Sequence, residues 1–343
     1  MEMKKITIFI SVLVLSAGAV SCVKTATDAS QVTSGRGDGG GIRSALLVTP
    51  GMDISDGSLT KAAVDTTILP EDYTIYLSSY REDPLNPHAT GNYFTGIPYT
   101  YRGPGEEPDT RIWGGTPPQY WPFGGKMQFL GVASDLDLSV GLTWATDHNT
   151  DGVLVRVPAD NDGTHEVLYG SAGPTDGSVT CVPMSFRHSQ AYLVFNFTSK
   201  CTGLVRLRDI TVEDAYTGGD LHVEAYPLPL VKWDTEEIDL RDVAVPDVID
   251  GTSLDSGLEL SYSLLIVPKT GRHFTVRFQQ RASLDFDWKT RSVDVPFTFS
   301  ETSQKWKAGV KYIYNFVIDP KEITFSAETE DMDRGAGDIV VVE

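Results

Sequence analysis

The sequence contains little cysteine and few basic residues. Only three of its 343 residues are cysteine, which is too few for a disulfide framework, and their spacing does not fit a zinc cluster. Lys and Arg total 28 against 47 Asp and Glu, so the formal net charge is −19. Because such a chain repels phosphate groups, nucleic acid is excluded as a partner.

The sequence also lacks an amphipathic helix of three turns and the common enzyme motifs. Its six His residues are scattered, with no H-E-x-x-H pattern, and no G-x-S-x-G elbow occurs. We therefore predict no catalytic residues and no cofactor, and we interpret His188 as a structural residue rather than a general base.

The one long apolar run, Ile6 to Val20, follows Lys4 and Lys5 and is too short for a comfortable membrane span. Residues 1–21 are therefore predicted to be a signal peptide. The segment Ala19-Val20-Ser21-Cys22 resembles a bacterial lipobox, which implies cleavage before Cys22 and a lipid anchor to the membrane on its thiol. The alternative is an ordinary cleaved signal with an incidental cysteine.

The mature chain changes character at residue 45. Residues 22–44 are rich in Thr, Ser and Gly and are predicted to be a flexible tether. Short β-rich runs such as Val153 to Val157 and His273 to Arg281 then recur between Gly, Pro, Asp and Asn clusters. This pattern predicts an all-β protein with sandwich domains at residues 45–183 and 184–343.

Cys181 and Cys201 are the two cysteines left if Cys22 is lipidated. In an oxidising compartment they are a candidate disulfide that would close a loop of about 20 residues. Two buried thiols are the alternative, because free cysteine packs as a small apolar side chain.

Four segments together resemble the fimbrillin family of Bacteroidetes surface lipoproteins, over roughly residues 45 to 335. The segments are Tyr120-Trp121-Pro122, Ser185-Phe186-Arg187-His188, Trp306-Lys307-Ala308-Gly309 and Ile323-Thr324-Phe325. The resemblance implies two tandem transthyretin-like Greek-key β-sandwich domains. It also implies a pilus subunit exported to the outer membrane, with other pilus subunits as partners in a homo- or heteropolymer.

In this family, an Arg-specific protease removes the N-terminal segment with its first strand, and a strand from a neighbouring subunit fills the groove. Arg36 and Arg43 are the candidate processing sites here, and Ala45-Leu46-Leu47-Val48 is the predicted first strand. No Arg occurs between Arg43 and Arg81, so a cut at Arg43 would remove the tether alone.

The C-terminal residues Ile339, Val340, Val341 and Val342 form a short β-branched run. They are predicted to be either a donor strand for the next subunit or the last edge strand of the second sandwich.

Asp147, Asn149 and Asp151 fit the first half of a calcium loop, but Pro158 occupies the position that needs a bidentate Glu. A solvated hairpin turn is the favoured interpretation, so no metal is predicted.

The segment 93–123 is rich in aromatic residues among Gly and Pro. Its rings predict either a surface that stacks on glycans, which is our alternative function, or a long loop that folds its aromatics into the core. We favour the second interpretation.

Overall fold

The computed structural model describes residues 45–52, 69–83, 86–105, 111–122, 124–145, 152–179, 181–224, 230–235, 240–268, 273–281, 287–296, 306–318 and 323–331. These residues form strands and turns with no helix among them, which confirms the predicted all-β class. In chain order the strands are β1 Leu47–Met52, β2 Thr74–Asp83, β3 Asn86–Pro104, β4 Arg111–Gly115, β5 Met127–Ser134, β6 Leu142–Trp144, β7 Val153–Val157, β8 Val167–Thr175, β9 Cys181–His188, β10 Ala191–Ser199, β11 Val205–Ala215, β12 Gly219–Glu224, β13 Leu230–Asp234, β14 Arg241–Ala244, β15 Thr252–Ser253, β16 Glu259–Ile266, β17 His273–Gln280, β18 Lys289–Pro296, β19 Val310–Ile318 and β20 Ile323–Asp331. Across these ranges, no helix is long and apolar enough to cross a membrane.

Seven strands close into a barrel in the order β1-β4-β3-β2-β5-β8-β9. Neighbours run antiparallel except β1 and β9, which run parallel. Alternate residues of a strand point to one face, so each strand sends every second side chain inward. Tyr99, Trp113 and Phe186 are the largest fully buried side chains inside the barrel.

A four-stranded sheet, β13-β12-β7-β6, packs on the outside of the barrel. In β7, Val153, Val155 and Val157 are buried and alternate with more exposed residues, as the sequence predicts. They contact Leu130 on the barrel and Leu221 on β12 within one apolar cluster. The barrel and this side sheet are therefore two layers around a shared core.

The remaining strands form two more sheets, β16-β10-β19-β20 and β14-β11-β17-β18, with β15 paired to β11. A second core lies between them and is dominated by aromatic rings. The rings of Phe197 and Phe316 stack with centroids 4.8 Å apart, and Phe195 meets Phe274 edge-on at 5.1 Å.

The pairing of the strands does not follow the predicted domain boundary between residues 183 and 184. β9 runs across that point and pairs with β8 and β1 in the barrel. The hairpin β12–β13 also lies beyond it, yet β12 pairs with β7 of the side sheet. Apolar alternation reports which face of a strand is buried but not which strand lies beside it, so the sequence could not place this hairpin.

The aromatic segment 93–123 is mostly strand rather than a long loop, since β3 and β4 cover much of it. Trp113 and Tyr99 are fully buried, and Phe94 and Trp121 are nearly so. The favoured core interpretation is confirmed for these four rings. The glycan-stacking interpretation is wrong for them, because a buried ring presents no face to a ligand.

Candidate functional site

β1 is the strand that closes the barrel, and its side chains alternate as a core strand requires. Leu46, Val48 and Pro50 are buried, whereas Leu47 and Thr49 are half-buried. The predicted first strand thus coincides with the start of β1 and the two residues before it.

The backbone of β1 is held mainly by β9. Six consecutive residue pairs, from Leu47↔Cys181 to Met52↔Phe186, join the two strands in parallel. On the other side, β4 pairs only with Leu47 and Val48. The strand is therefore attached along its whole length to one neighbour and along a third of it to the other.

Pro50 is compatible with this position. The Leu46 N–H donates to the Gln119 carbonyl at 2.8 Å, so the even-numbered N–H groups point towards the β4 side. The pairing with β4 ends at Val48, two residues before Pro50. The missing N–H of proline therefore removes no bond of the ladder.

Several predicted site residues lie outside the described part of the chain, and their roles stay predictions. They are the lipidation residue Cys22, the processing candidates Arg36 and Arg43, the calcium candidates Asp147, Asn149 and Asp151, and the donor-strand candidates Ile339, Val340, Val341 and Val342. Within the described ranges, no group of three or more His, Cys, Asp or Glu could hold a metal ion.

Cys181 and Cys201 lie in different parts of the fold. Cys181 is buried at the start of β9 in the barrel, and Cys201 is half-buried in the turn that follows β10. Both are thiols in the structure, and a disulfide between them in an oxidising compartment stays a prediction.

Sequence reasoning missed a polar junction where the barrel meets β10. Buried His188 contacts buried Glu166 through Nδ1 and Oε1, and His165 Nδ1 lies 2.7 Å from Asp135 Oδ2. The Gln190 side-chain oxygen accepts the Val167 N–H at 3.0 Å. His188 is thus a paired, buried residue, as its structural interpretation predicts. No sequence motif could have shown this pairing, because its members are about twenty to thirty residues apart.

The described residues define a β protein whose first strand completes a closed barrel. A profile of the fimbrillin-like family matches residues 60–331. The chain belongs to the fimbrillin-like family.

The chain is similar to several solved bacterial structures. A candidate cell adhesion protein from Bacteroides uniformis is 16% identical with a TM-score of 0.50, and the match covers 84% of this chain and 98% of that one. A fimbrial protein from Bacteroides vulgatus is 14% identical over 83% and 99% of the two chains, with a TM-score of 0.43. The truncated tip fimbrial protein Mfa3 from Porphyromonas gingivalis is 11% identical over 84% and 100%, also at 0.43. A comparison with curated proteins finds no match.

Proposed function

We propose that this protein is a non-enzymatic, adhesive subunit of a cell-surface pilus that assembles by strand exchange. Membership of the fimbrillin-like family supports the pilus role. The observation that supports the assembly mechanism is the position of β1, a short strand near the N-terminal end of the described chain. It completes the barrel by pairing in parallel with β9 and, over two residues, antiparallel with β4.

Withdrawal of β1 would open the barrel between β4 and β9. Two rows of backbone N–H and C=O groups would lose their partners, and the sites of Leu46 and Val48 would be empty. An incoming strand with alternating apolar side chains would satisfy both needs, since strand addition combines main-chain hydrogen bonds with side-chain pockets. The run Ile339 to Val342 is the donor we propose.

Proteolysis at an arginine cannot by itself release β1 from this chain. A cut at Arg43 would fall before β1, and Arg81 lies within β2, paired with Gly91 on β3 and Met127 on β5. In the proposed mechanism, β1 is therefore displaced by the donor strand, or is cut away by a protease of other specificity.

Export and anchoring complete the proposal. Residues 1–21 direct secretion, and Cys22 carries the lipid that holds the protein at the outer membrane until assembly. The partners are other pilus subunits, through strand exchange. The net charge of −19 suits a well-hydrated surface displayed outside the cell.

A new cleavage site placed after β1 tests the mechanism. In the variant Ser58→Arg, an Arg-specific protease separates β1 from β2 by a cut in the connection, and we expect SDS-resistant ladders to form after cleavage. The matched control is Thr150→Arg, which places the same site in the connection between β6 and β7. Equal ladders from both variants, or none from Ser58→Arg after complete cleavage and release of β1, would contradict strand exchange through β1.

A further inference from the structure

A cleft of about 330 Å³ lies where the barrel meets the outer face of β10 and β16. One wall is formed by Tyr73 before β2 and by Thr164 and Glu166 before β8. The lining also includes Ser261 on β16 and the turn at Asp247. The volume is at the lower end of the range of small-molecule sites, so the cleft suits a ligand of one or two sugar-sized units.

Hydroxyl groups and tyrosine rings dominate the lining. Tyr192 on β10 is 9% exposed, and its partner across the strand pair, Leu265, is 8% exposed. Ser263 on β16 also lines the cleft. Tyr73 and Tyr262 also line the cleft and, unlike buried Tyr192, are only half-buried. Each can offer part of an apolar ring and a hydroxyl that both donates and accepts, which matches the mixed surface of a sugar.

Tyr73 contributes a phenol to the cleft lining. Burial, followed by the nearby Glu166 carboxylate, raises its pKa far above the ordinary value of 10.0. The phenol is protonated at neutral pH, as an ordinary tyrosine is, and the raised pKa keeps it protonated at alkaline pH as well. Glu166 in turn is held in place by His188, and both side chains are more than nine-tenths buried.

Asp247 supplies an exposed acceptor in the cleft lining. Its backbone adopts φ of 61°, in the left-handed region that few residues other than glycine occupy. The residue is exposed, and no hydrogen bond or ion pair holds its carboxylate within the described residues. The strained turn is thus occupied by a side chain that can accept hydrogen bonds at the cleft rim.

We propose that this cleft binds a neutral sugar. Hydroxyl groups, two carboxylates and tyrosine side chains line the small cavity, and the carboxylates of Glu166 and Asp247 disfavour sialic acid and other anionic sugars. A neutral sugar has no full charge, and its hydroxyls can both donate to the carboxylates and accept from the phenols.

The edge of β16 argues against an extended peptide in the same place. An added strand would need the outward backbone groups of β16, but the Leu265 N–H already donates to the Gly163 carbonyl at 2.8 Å. A Cβ on Gly163 would come within 2.9 Å of the Leu265 carbonyl, so the two backbones are in close contact. This contact blocks a continuous ladder through the cleft.

The proposal gives the adhesive role a ligand but does not depend on strand exchange. Its test is a calorimetric titration of the mature full chain with the methyl glycosides of glucose, galactose, mannose and N-acetylglucosamine, and with sialic acid as the anionic comparison. We expect at least one neutral glycoside to bind and sialic acid not to bind.

Asp247→Asn should weaken that binding about tenfold, because a neutral acceptor replaces a charged one. Asparagine tolerates the left-handed backbone, so the turn is kept. The matched control Asp214→Asn changes the other aspartate at positive φ, on β11 outside the cleft, and should bind as the unaltered chain does. The proposal would be overturned if no neutral glycoside bound, or if only sialic acid or an extended peptide probe bound. It would also be overturned if the Asp247→Asn variant bound the sugar as tightly as the unaltered chain. Ladder formation by Asp247→Asn should be unchanged, so failure of sugar binding is distinguishable from failure of assembly.

Discussion

Val48 of β1 lies directly opposite Trp113 of β4, and both side chains are fully buried. The Trp113 indole N–H donates to the Tyr73 carbonyl at 3.1 Å, and the ring of Tyr101 on β3 lies 5.3 Å away. The first strand therefore packs on a ring that contacts two other segments, β3 and the residue before β2. It follows that any strand that replaces β1 must supply an apolar side chain at the position of Val48.

Leu46→Ala should destabilise the protein strongly. Leu46 is 1% exposed in the barrel core, so its truncation should lower the free energy of unfolding by about 2–5 kcal/mol. The neighbouring Leu47 is only half-buried, and Leu47→Ala should cost about 1 kcal/mol. Urea denaturation of both variants measures the difference. Equal losses would show that β1 is not seated in the barrel as described.

Two paired glycines should respond differently to the same substitution. Gly131 on β5 lies opposite Gly170 on β8. A Cβ on Gly170 would come within 2.4 Å of the Ser185 backbone oxygen, whereas one on Gly131 would first meet the terminal methyl of Met184 at 2.9 Å. Backbone cannot move aside as a flexible methionine can.

Gly170→Ala should therefore lower the free energy of unfolding by about 1–3 kcal/mol, and Gly131→Ala by clearly less. Thermal unfolding followed by circular dichroism tests this pair. A larger effect at Gly131 would contradict the packing of β8 against β9.

Segments with regular alternation could be predicted from the sequence. The predicted strands Val153–Val157 and Lys311 to Ile318 match β7 and β19. Each has one buried face, so apolar and polar residues alternate along its sequence with a period of two. β3 and β8 could not, since Gly96, Gly103 and Gly173 interrupt their patterns at positive φ. From the sequence alone, glycines at such positions predict turns rather than continuous strands.

The polar junction and the cleft were beyond sequence analysis for a different reason. Glu166, Tyr192 and Asp247 are ordinary residues in an acidic, tyrosine-containing chain, and no local pattern distinguishes them. Their meeting depends on long-range pairing, such as the antiparallel contact of β10 with β16 and the backbone hydrogen bond from Leu265 to Gly163. Non-local pairings of this kind leave no signal in a single sequence.

Stability should fall at alkaline pH through the titration of Tyr312. Burial raises its pKa from 10.0 to about 12. Because the folded state holds the proton more tightly than the unfolded state, this contribution is complete below pH 10 and is lost as pH rises towards 12. The expected loss is about 1.4 kcal/mol at pH 11.

Tyr312→Phe is the control for that titration. The variant keeps the ring but loses the hydrogen bond from the Lys307 N–H, which costs about 1 kcal/mol at neutral pH. Between pH 9 and pH 11, however, its urea midpoint should fall less than that of the unaltered chain. Identical pH profiles would show that Tyr312 does not titrate in this range.

An Arg-specific protease acting on the folded protein should cut in the tether and leave β1 in place. Arg43 precedes β1, whereas Arg81 lies inside β2, between β3 and β5. Because a protease must draw an extended, unpaired backbone into its active site, the paired Arg81 should be resistant. Limited digestion followed by N-terminal sequencing should yield a stable chain that begins at Ser44, with an unchanged urea midpoint. Cleavage after Arg81 under native conditions would show that the barrel strands are held less firmly than their pairing indicates. A lower urea midpoint after cleavage at Arg43 alone would show that the tether contributes to the stability of the closed barrel.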